Sequence, residues 1–88
     1  MRLDKFLKVS RLIKRRPLAK EVANKGRIQI NGQQAKAGSN VKIGDILVIR
    51  FGQRVLTVEV KSLQENTRKE EAAHMYQLLK EERINEEE

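Results

Sequence analysis

Three consecutive cations, Lys14, Arg15 and Arg16, stand directly before Pro17 in the stretch IKRRPLAKEVANKG, residues 13–26. Proline disfavours the α conformation in the residue before it and suits the first turn of a new helix. The stretch therefore predicts a corner between two helices, with the cations at the N-terminus of the second. Three cations there are unfavourable unless an anion joins them, because a helix N-terminus itself attracts anions. We predict that the corner binds phosphate; the alternative is that the three side chains extend into water.

The residues before the corner predict a helix over 2–13 with one apolar and one cationic face. The apolar arc contains Leu3, Phe6, Leu7, Val9 and Ile13. The opposite arc contains Lys5, Lys8, Arg11 and Arg15. Asp4 is the only acid in this segment, and we expect it to cap or pair within the helix rather than to act as a general base. A face with so few acids predicts an anionic partner.

The charge of the chain is unevenly distributed along its 88 residues. Residues 1–61 hold fifteen lysines and arginines against four acids, a net charge of +11, whereas residues 62–88 hold four bases and eight acids. A basic body of this kind is typical of a protein that binds nucleic acid. The acidic tail is expected to avoid that polyanion or to meet another protein.

The residue types available for catalysis are few. The chain has no cysteine and a single histidine, His74, which we expect to be exposed. Neither a thiolate metal site nor a Cys–His or Ser–His–acid arrangement can be assembled, so we expect no enzyme activity, no metal and no cofactor. No apolar run is long enough to span a membrane, and the lack of cysteine favours a cytoplasmic protein. Phe6 and Phe51 are assigned to the core, which disfavours a base-stacking platform and favours folded RNA or duplex DNA as the ligand.

The elements that must position these residues follow from periodicity. After Gly26 as the C-cap of the second helix, alternation with a period of two begins at Arg27, and Asn31-Gly32 predicts a tight hairpin. The runs ILVIRF and RVLTVEVKSL, on either side of Gly52-Gln53, predict a second hairpin. The fold class is α+β, with two N-terminal helices on a small curved, mostly antiparallel sheet.

The C-terminal segment is predicted to be a third helix. Thr67 and Glu70 match a capping box, and the apolar residues Ala72, Met75, Tyr76 and Leu79 follow at helical spacing. The final EERINEEE is expected to fray. We therefore divide the chain into a nucleic-acid-binding domain, residues 1–63, and an acidic C-terminal helix with a frayed tail, residues 64–88.

The order of these motifs resembles a known RNA-binding module. The segment RLDKFLKVSRLIKRRPLAKEVANKGRIQINGQQAK, with its RLD-x-x-L opening and its ING hairpin, is similar to the αL motif named after small-subunit ribosomal protein four. The run VKIGDILVI resembles the closing strand of that motif, so the resemblance covers about residues 1–60. It implies binding of structured RNA through a basic helical face.

The nearly complete chain resembles the RqcP family, which is related to a small heat-shock protein. This resemblance implies a non-enzymatic, monomeric cofactor of bacterial ribosome-associated quality control. Its partners would be 23S rRNA, peptidyl-tRNA on stalled 50S subunits, and RqcH, whose alanine tailing it would support. The implied RNA-binding residues, with Arg2 and Arg16 first, are Arg2, Lys5, Lys8, Arg11, Lys14, Arg15, Arg16 and Lys20. A general rRNA-binding assembly or heat-shock factor and a small basic DNA-binding protein remain as alternatives.

Overall fold

The computed structural model describes residues 1–84. Two short helices come first along the chain and are followed by the five strands of one sheet, with a third short helix before the last strand. In chain order the elements are α1 Leu3–Val9, α2 Arg16–Asn24, β1 Ile28–Ile30, β2 Gln33–Gln34, β3 Ile46–Phe51, β4 Arg54–Val60, α3 Lys69–Ala72 and β5 Tyr76–Arg83. The strands lie in the order β2-β1-β3-β4-β5, and all neighbours are antiparallel. The predicted α+β class is confirmed. Within residues 1–84, no helix is long and apolar enough to cross a membrane.

The first helix is shorter than the sequence predicted. It ends at Val9 rather than at residue 13, because Arg11 has a left-handed backbone with φ of 63°. The amide of Arg11 donates to the carbonyl of Lys8 at 3.0 Å, and that of Ile13 donates to the carbonyl of Leu7 at 3.1 Å. These bonds satisfy two of the carbonyls that are left without a helical partner at the end of α1. The turn sends Ile13 back into the core, where it is buried.

The second helix begins and ends where its local signals predicted. Pro17 lies in its first turn, and Gly26 follows its C-cap with φ of 79°. The amide of Gly26 donates to the carbonyl of Ala23 at 3.0 Å, and that of Arg27 donates to the carbonyl of Val22 at 3.3 Å. This pair of bonds is a Schellman motif.

The hairpin between β1 and β2 is confirmed, and one side chain fastens it to the next strand. Asn31 and Gly32 both have positive φ, 53° and 85°, as a type I′ turn requires. The side-chain Nδ2 of Asn31 donates to Oδ1 of Asp45 at 3.0 Å, and the side-chain Oδ1 of Asn31 accepts from the backbone N–H of Ile46 at 2.9 Å. The start of β3 is thereby joined to the hairpin.

The hydrophobic core lies between α1, α2 and one face of the sheet. The large side chains that are fully buried there come from every layer: Leu3, Phe6, Leu7, Ile28, Leu47, Ile49, Val58, Val60 and Met75. Phe51, which the sequence assigned to the core, is 37% exposed. It lines an open concavity beside Gly52, together with the equally exposed Leu18 of α2.

The C-terminal helix predicted through Leu79 is limited to one turn, Lys69–Ala72. Tyr76–Arg83 is instead the edge strand β5, which pairs with β4 from Val60↔Tyr76 to Arg54↔Arg83. The capping residue is Arg68, whose amide donates to the Glu71 carboxylate at 3.2 Å. Helical spacing misled the prediction because Met75 enters the core from a turn rather than from a helix face.

The frayed tail was predicted for residues 81–88. Residues 81–83 belong to β5, which contradicts that expectation, and residues 85–88 lie outside the described part of the chain. The division into domains at residue 63 stays a prediction. The pairing of β5 and the burial of Met75 provide a direct way to test how far 64–88 stabilises the body.

Met75→Ala should lower the free energy of unfolding by about 2–5 kcal/mol, because it removes a fully buried side chain from a small core. Leu78→Ala is the control, since Leu78 belongs to the same segment but is 47% exposed. Its effect should be within about 0.5 kcal/mol. Urea unfolding of both variants measures the difference. Equal effects would mean that the C-terminal segment does not complete the core.

Candidate nucleic-acid interface

A buried carboxylate joins two of the predicted RNA-binding arginines. Asp4, in the first turn of α1, is only 2% exposed. Its oxygens accept two hydrogen bonds from the Arg2 guanidinium, at 3.1 and 3.3 Å, and Arg16 lies 3.6 Å from Oδ1. Both arginine side chains remain about half exposed, so each can reach a ligand while its position is fixed by Asp4. The expected pairing of Asp4 within its helix is confirmed for Arg2, and the structure adds Arg16.

The charge of Asp4 is stabilised in place. Burial by itself raises the pKa of this carboxyl, but the hydrogen bonds from Arg2 and the positive charge of Arg16 outweigh it, and the pKa lies below the ordinary 3.8. Asp4 therefore carries a full negative charge at neutral pH. It neutralises one of the two arginines, and the cluster keeps a net positive charge toward solvent.

The cationic corner lies at the N-terminus of α2, as predicted. Arg15 is the N-cap residue, Arg16 begins the helix, and all three side chains from Lys14 to Arg16 are exposed. The first turn of α2 contains no acid, and no side chain caps its amides. The N–H groups of this turn and the nearby cations are therefore available to an anion.

A second group of cations lines a cleft of about 630 Å³ between the end of α1 and the segment before α3. Its lining is Lys8, Val9, Arg11, Lys14, Asn66, Thr67 and Lys69. The cleft holds four cations and no carboxylate. Thr67 closes it by donating its hydroxyl hydrogen to the Val9 carbonyl at 2.7 Å. Arg11 adopts a left-handed conformation that glycine adopts more easily, and its exposed side chain lines the cleft.

Two predicted residues are not brought into these groups. Lys5 forms an ion pair with Glu65, and this hydrogen bond from Lys5 lowers the pKa of the Glu65 carboxyl. Lys20 is exposed on α2 but does not line the cleft. Within residues 1–84 no cluster of acidic and histidine side chains could hold a metal ion. The RNA-binding roles of all eight predicted residues stay predictions.

Sequence patterns do not predict three residues of the cleft: Asn66, Thr67 and Lys69. They belong to the acidic tail, which is expected to avoid the polyanion or to meet another protein. The available signal was local, because Asn66 to Lys69 contains two cations and no acid within that otherwise acidic segment. Only the chain path places this short run against α1.

Asp4→Asn should lower the free energy of unfolding at neutral pH by about 1–3 kcal/mol, because a buried charged acceptor is lost beside two arginines. Since the folded-state pKa of Asp4 is depressed, its stabilisation is present above the unfolded value of 3.8 and is lost as pH falls through the folded value. The difference in the free energy of unfolding between wild type and Asp4→Asn should therefore become smaller at acidic pH. Urea unfolding at neutral pH and below pH 3.8 tests this.

Glu65→Gln is the control for the Asp4 variant, since it removes an exposed carboxylate from an ion pair. It should leave the unfolding midpoint unchanged at neutral pH. A stability difference for Asp4→Asn that grows on acidification would contradict the assigned direction of the pKa shift.

The family comparison agrees with the geometry of the helical layer. Residues 1–47 match the model of the S4 domain, which covers α1, α2 and the first hairpin. The solved structure of heat shock protein 15 from Vibrio cholerae, described as trimeric, superposes with a TM-score of 0.83 at 32% identity. That match covers 90% of this chain and 81% of the other.

Sequence relatives extend the similarity to nearly the whole chain. The RQC P-site tRNA stabilizing factor of Bacillus subtilis is 69% identical over 86 residues, covering 98% of this chain and 100% of that protein. The protein of the same name from Streptococcus pneumoniae is 54% identical over 86 residues, covering 98% of each chain. Heat shock protein 15 of Escherichia coli is 38% identical over 78 residues, which are 88% of this chain and 59% of that protein. The chain therefore belongs to the S4-domain family, in the group that contains the RQC P-site tRNA stabilizing factors and their relatives of the heat shock protein 15 type.

Proposed function

We propose that this protein is a non-enzymatic RNA-binding factor of bacterial ribosome-associated quality control. In this proposal it binds 50S subunits that still carry peptidyl-tRNA, contacts both 23S rRNA and tRNA, and supports RqcH-dependent alanine tailing. It acts as a monomer. The observation on which the proposal rests is the continuous cationic surface that starts at the Arg2–Asp4–Arg16 cluster, passes the α2 corner and enters the cleft.

The form of this surface favours the phosphate backbone of folded RNA. Arginine guanidinium groups held by a buried carboxylate are pre-organised, so less side-chain entropy is lost when they bind phosphate. Phe6 is buried, Tyr76 packs against the core from β5, and Phe51 lines a concavity with Leu18 and Val22, so none of the three aromatic residues lines the cleft. Stacking on unpaired bases at this surface therefore has no aromatic side chain to use, which supports recognition by charge and shape.

The names of the relatives support the specific process. Two proteins that share more than half of their residues with this chain are RQC P-site tRNA stabilizing factors. The transfer of that role rests on similarity over 98% of this chain, which includes the segment that closes the cleft. We infer the contacts to 23S rRNA and the link to RqcH from the family resemblance together with the cationic surface.

A general heat-shock or assembly factor is the second candidate, because relatives of the heat shock protein 15 type match most of the chain. Sucrose-gradient fractionation of a bacterial lysate distinguishes the two. A quality-control factor should sediment with 50S particles that retain peptidyl-tRNA. Its amount in the 50S fractions should fall when the peptidyl-tRNA is released. An assembly factor should follow immature particles without peptidyl-tRNA. Sedimentation equilibrium of the isolated protein tests the monomer, since the V. cholerae protein is described as trimeric.

The affinity for 23S rRNA should depend strongly on salt. If about five phosphates are neutralised, the logarithm of the binding constant should fall against the logarithm of salt concentration with a slope of roughly −3.5 to −4.5. Filter binding or fluorescence anisotropy across a salt series measures the slope. A slope near zero would contradict the electrostatic mechanism.

Replacing Lys14, Arg15 and Arg16 together by alanine should weaken 50S association strongly and make the salt slope shallower by about 2–3. The thermal midpoint should not fall much, because all three side chains are exposed and only Arg16 contacts an acid. The control replaces three lysines outside the corner and the cleft by alanine: Lys42, Lys61 and Lys80. Equal losses in both variants would show that net charge alone, rather than the corner, determines binding.

A further inference from the structure

The sheet carries a second basic surface on the face turned away from the helices. Side chains alternate between the two faces of a strand. In β3, Leu47 and Ile49 are buried toward α1 and α2, so Val48 and Arg50 lie on the outer face. The outer face that carries Val48 and Arg50 is therefore on the opposite side of the sheet from the core.

Two arginines stand opposite each other at one end of this outer face. Ile28 pairs with Ile49, so the next position brings Arg27 opposite Arg50. The backbone N–H of Arg50 donates to the carbonyl of Arg27 at 2.9 Å, which fixes the register there. Like charges directly opposite on neighbouring strands destabilise a sheet. This arrangement therefore costs stability unless an anion lies between the two side chains.

Within residues 1–84 neither arginine has a carboxylate oxygen within 4.0 Å; Glu21 and Glu82, which line neighbouring concavities, each pair with a lysine instead. The other opposed pair, Arg54 and Arg83, differs because Arg54 contacts Glu81 at 2.9 Å. Glu82 lies near the Arg27–Arg50 pair but forms its own ion pair with Lys80 at 3.3 Å. The two uncompensated arginines thus resemble an anion site more than an ordinary charged surface.

The shape of the region suits a phosphate group. A concavity of about 340 Å³ is lined by Lys25, Gly26, Arg27, Arg50 and Gly52, with no carboxylate among them. Lys25 already pairs with Glu21 at 3.0 Å, and cations at the end of α2 also stabilise the helix dipole. The helix dipole explains why cations stand at positions 25 and 27, directly after α2. It does not explain the cation at position 50, because Arg50 belongs to β3.

We propose that Arg27 and Arg50 form a second phosphate-binding site for structured RNA, separate from the interface at α1 and the α2 corner. The two planar guanidinium groups present donor pairs that match phosphate oxygens. The sites lie at opposite ends of α2, which is about 13 Å long, and Arg50 lies on the sheet face turned away from the helices that form the corner. One molecule can therefore contact two RNA segments, and this inference rests on the proposed function as an RNA-binding factor.

The experiment measures how many RNA molecules one protein binds. A short RNA hairpin with an A-form stem is titrated into the protein, and the complexes are counted by native mass spectrometry. The full chain should bind two hairpins at saturation. The combined variant Arg27→Gln and Arg50→Gln should bind one, with the affinity of the lost event reduced by roughly tenfold per arginine. The alanine variant of Lys14–Arg16 should also bind one.

The control variant Lys42→Gln with Lys61→Gln removes two cations elsewhere and should still bind two hairpins. The thermal midpoint of the Arg27/Arg50 variant should be unchanged or higher, because a like-charge contact is removed. A full chain that binds only one hairpin, or an Arg27/Arg50 variant that still binds two, would overturn the second site. So would a polyglutamate peptide that occupies Arg27 and Arg50 when the hairpin does not.

Failure of the second site and failure of the proposed function give different experimental results. If the second site is wrong, the Arg27/Arg50 variant retains wild-type hairpin binding while the Lys14–Arg16 variant still loses 50S association in the gradient. If the proposed function is wrong, wild-type protein itself does not associate with 50S particles, whatever the hairpin stoichiometry.

Discussion

Asp4 lies out of solvent at the start of α1, and its carboxylate accepts hydrogen bonds from Arg2 while it faces Arg16 across 3.6 Å. This contact connects the residue before α1 with the first residue of α2. One buried charge therefore helps to fix the relative position of the two helices and the position of two half-exposed guanidinium groups. Removing Asp4 leaves two guanidinium groups without their buried partner, whereas removing Arg16 leaves Asp4 with both of its hydrogen bonds from Arg2.

The chain direction between the helices follows from two backbone features that complement this ion pair. The left-handed turn at Arg11 ends α1 early and returns Ile13 to the core, and Pro17 starts α2 a few residues later. Between them Ile13 is buried, and the three cations that follow it, Lys14 to Arg16, are exposed. A helix–helix corner with exposed cations and uncapped amides follows from these local constraints. The buried carboxylate then fixes its geometry.

The C-terminal segment contributes to both layers of the molecule. Before α3, Thr67 donates to the carbonyl of Val9 and brings Lys69 to the basic cleft. After α3, Met75 fills the core and β5 covers the edge of β4. Among the described acids of this segment, Glu65 pairs with Lys5, Glu70 and Glu71 lie in α3, and Glu81 and Glu82 lie on the edge strand; none of them lines the cleft. Net charge summed over the segment thus conceals a local cationic run whose Lys69 faces the cleft.

The sequence by itself determined the elements whose signals are local. Pro17, Gly26 and Asn31-Gly32 each impose a backbone conformation, so α2 and the first hairpin were predicted where they occur. Periodicity and charge predicted the cations of α1 and a polyanion partner, but only Lys5 and Lys8 of the predicted cationic arc lie on α1, because Arg11 is in the turn after it and Arg15 caps α2. The tertiary structure decided what depends on distant neighbours. Residues 72–79 have helical spacing, but residues 76–79 belong to β5, which pairs with the free edge of β4. The backbone hydrogen bonds along that edge outweigh the weak helix propensity of the segment. In the same way, only the fold could bring Arg50 opposite Arg27 and Lys69 beside α1, since no sequence pattern encodes contacts between residues so far apart.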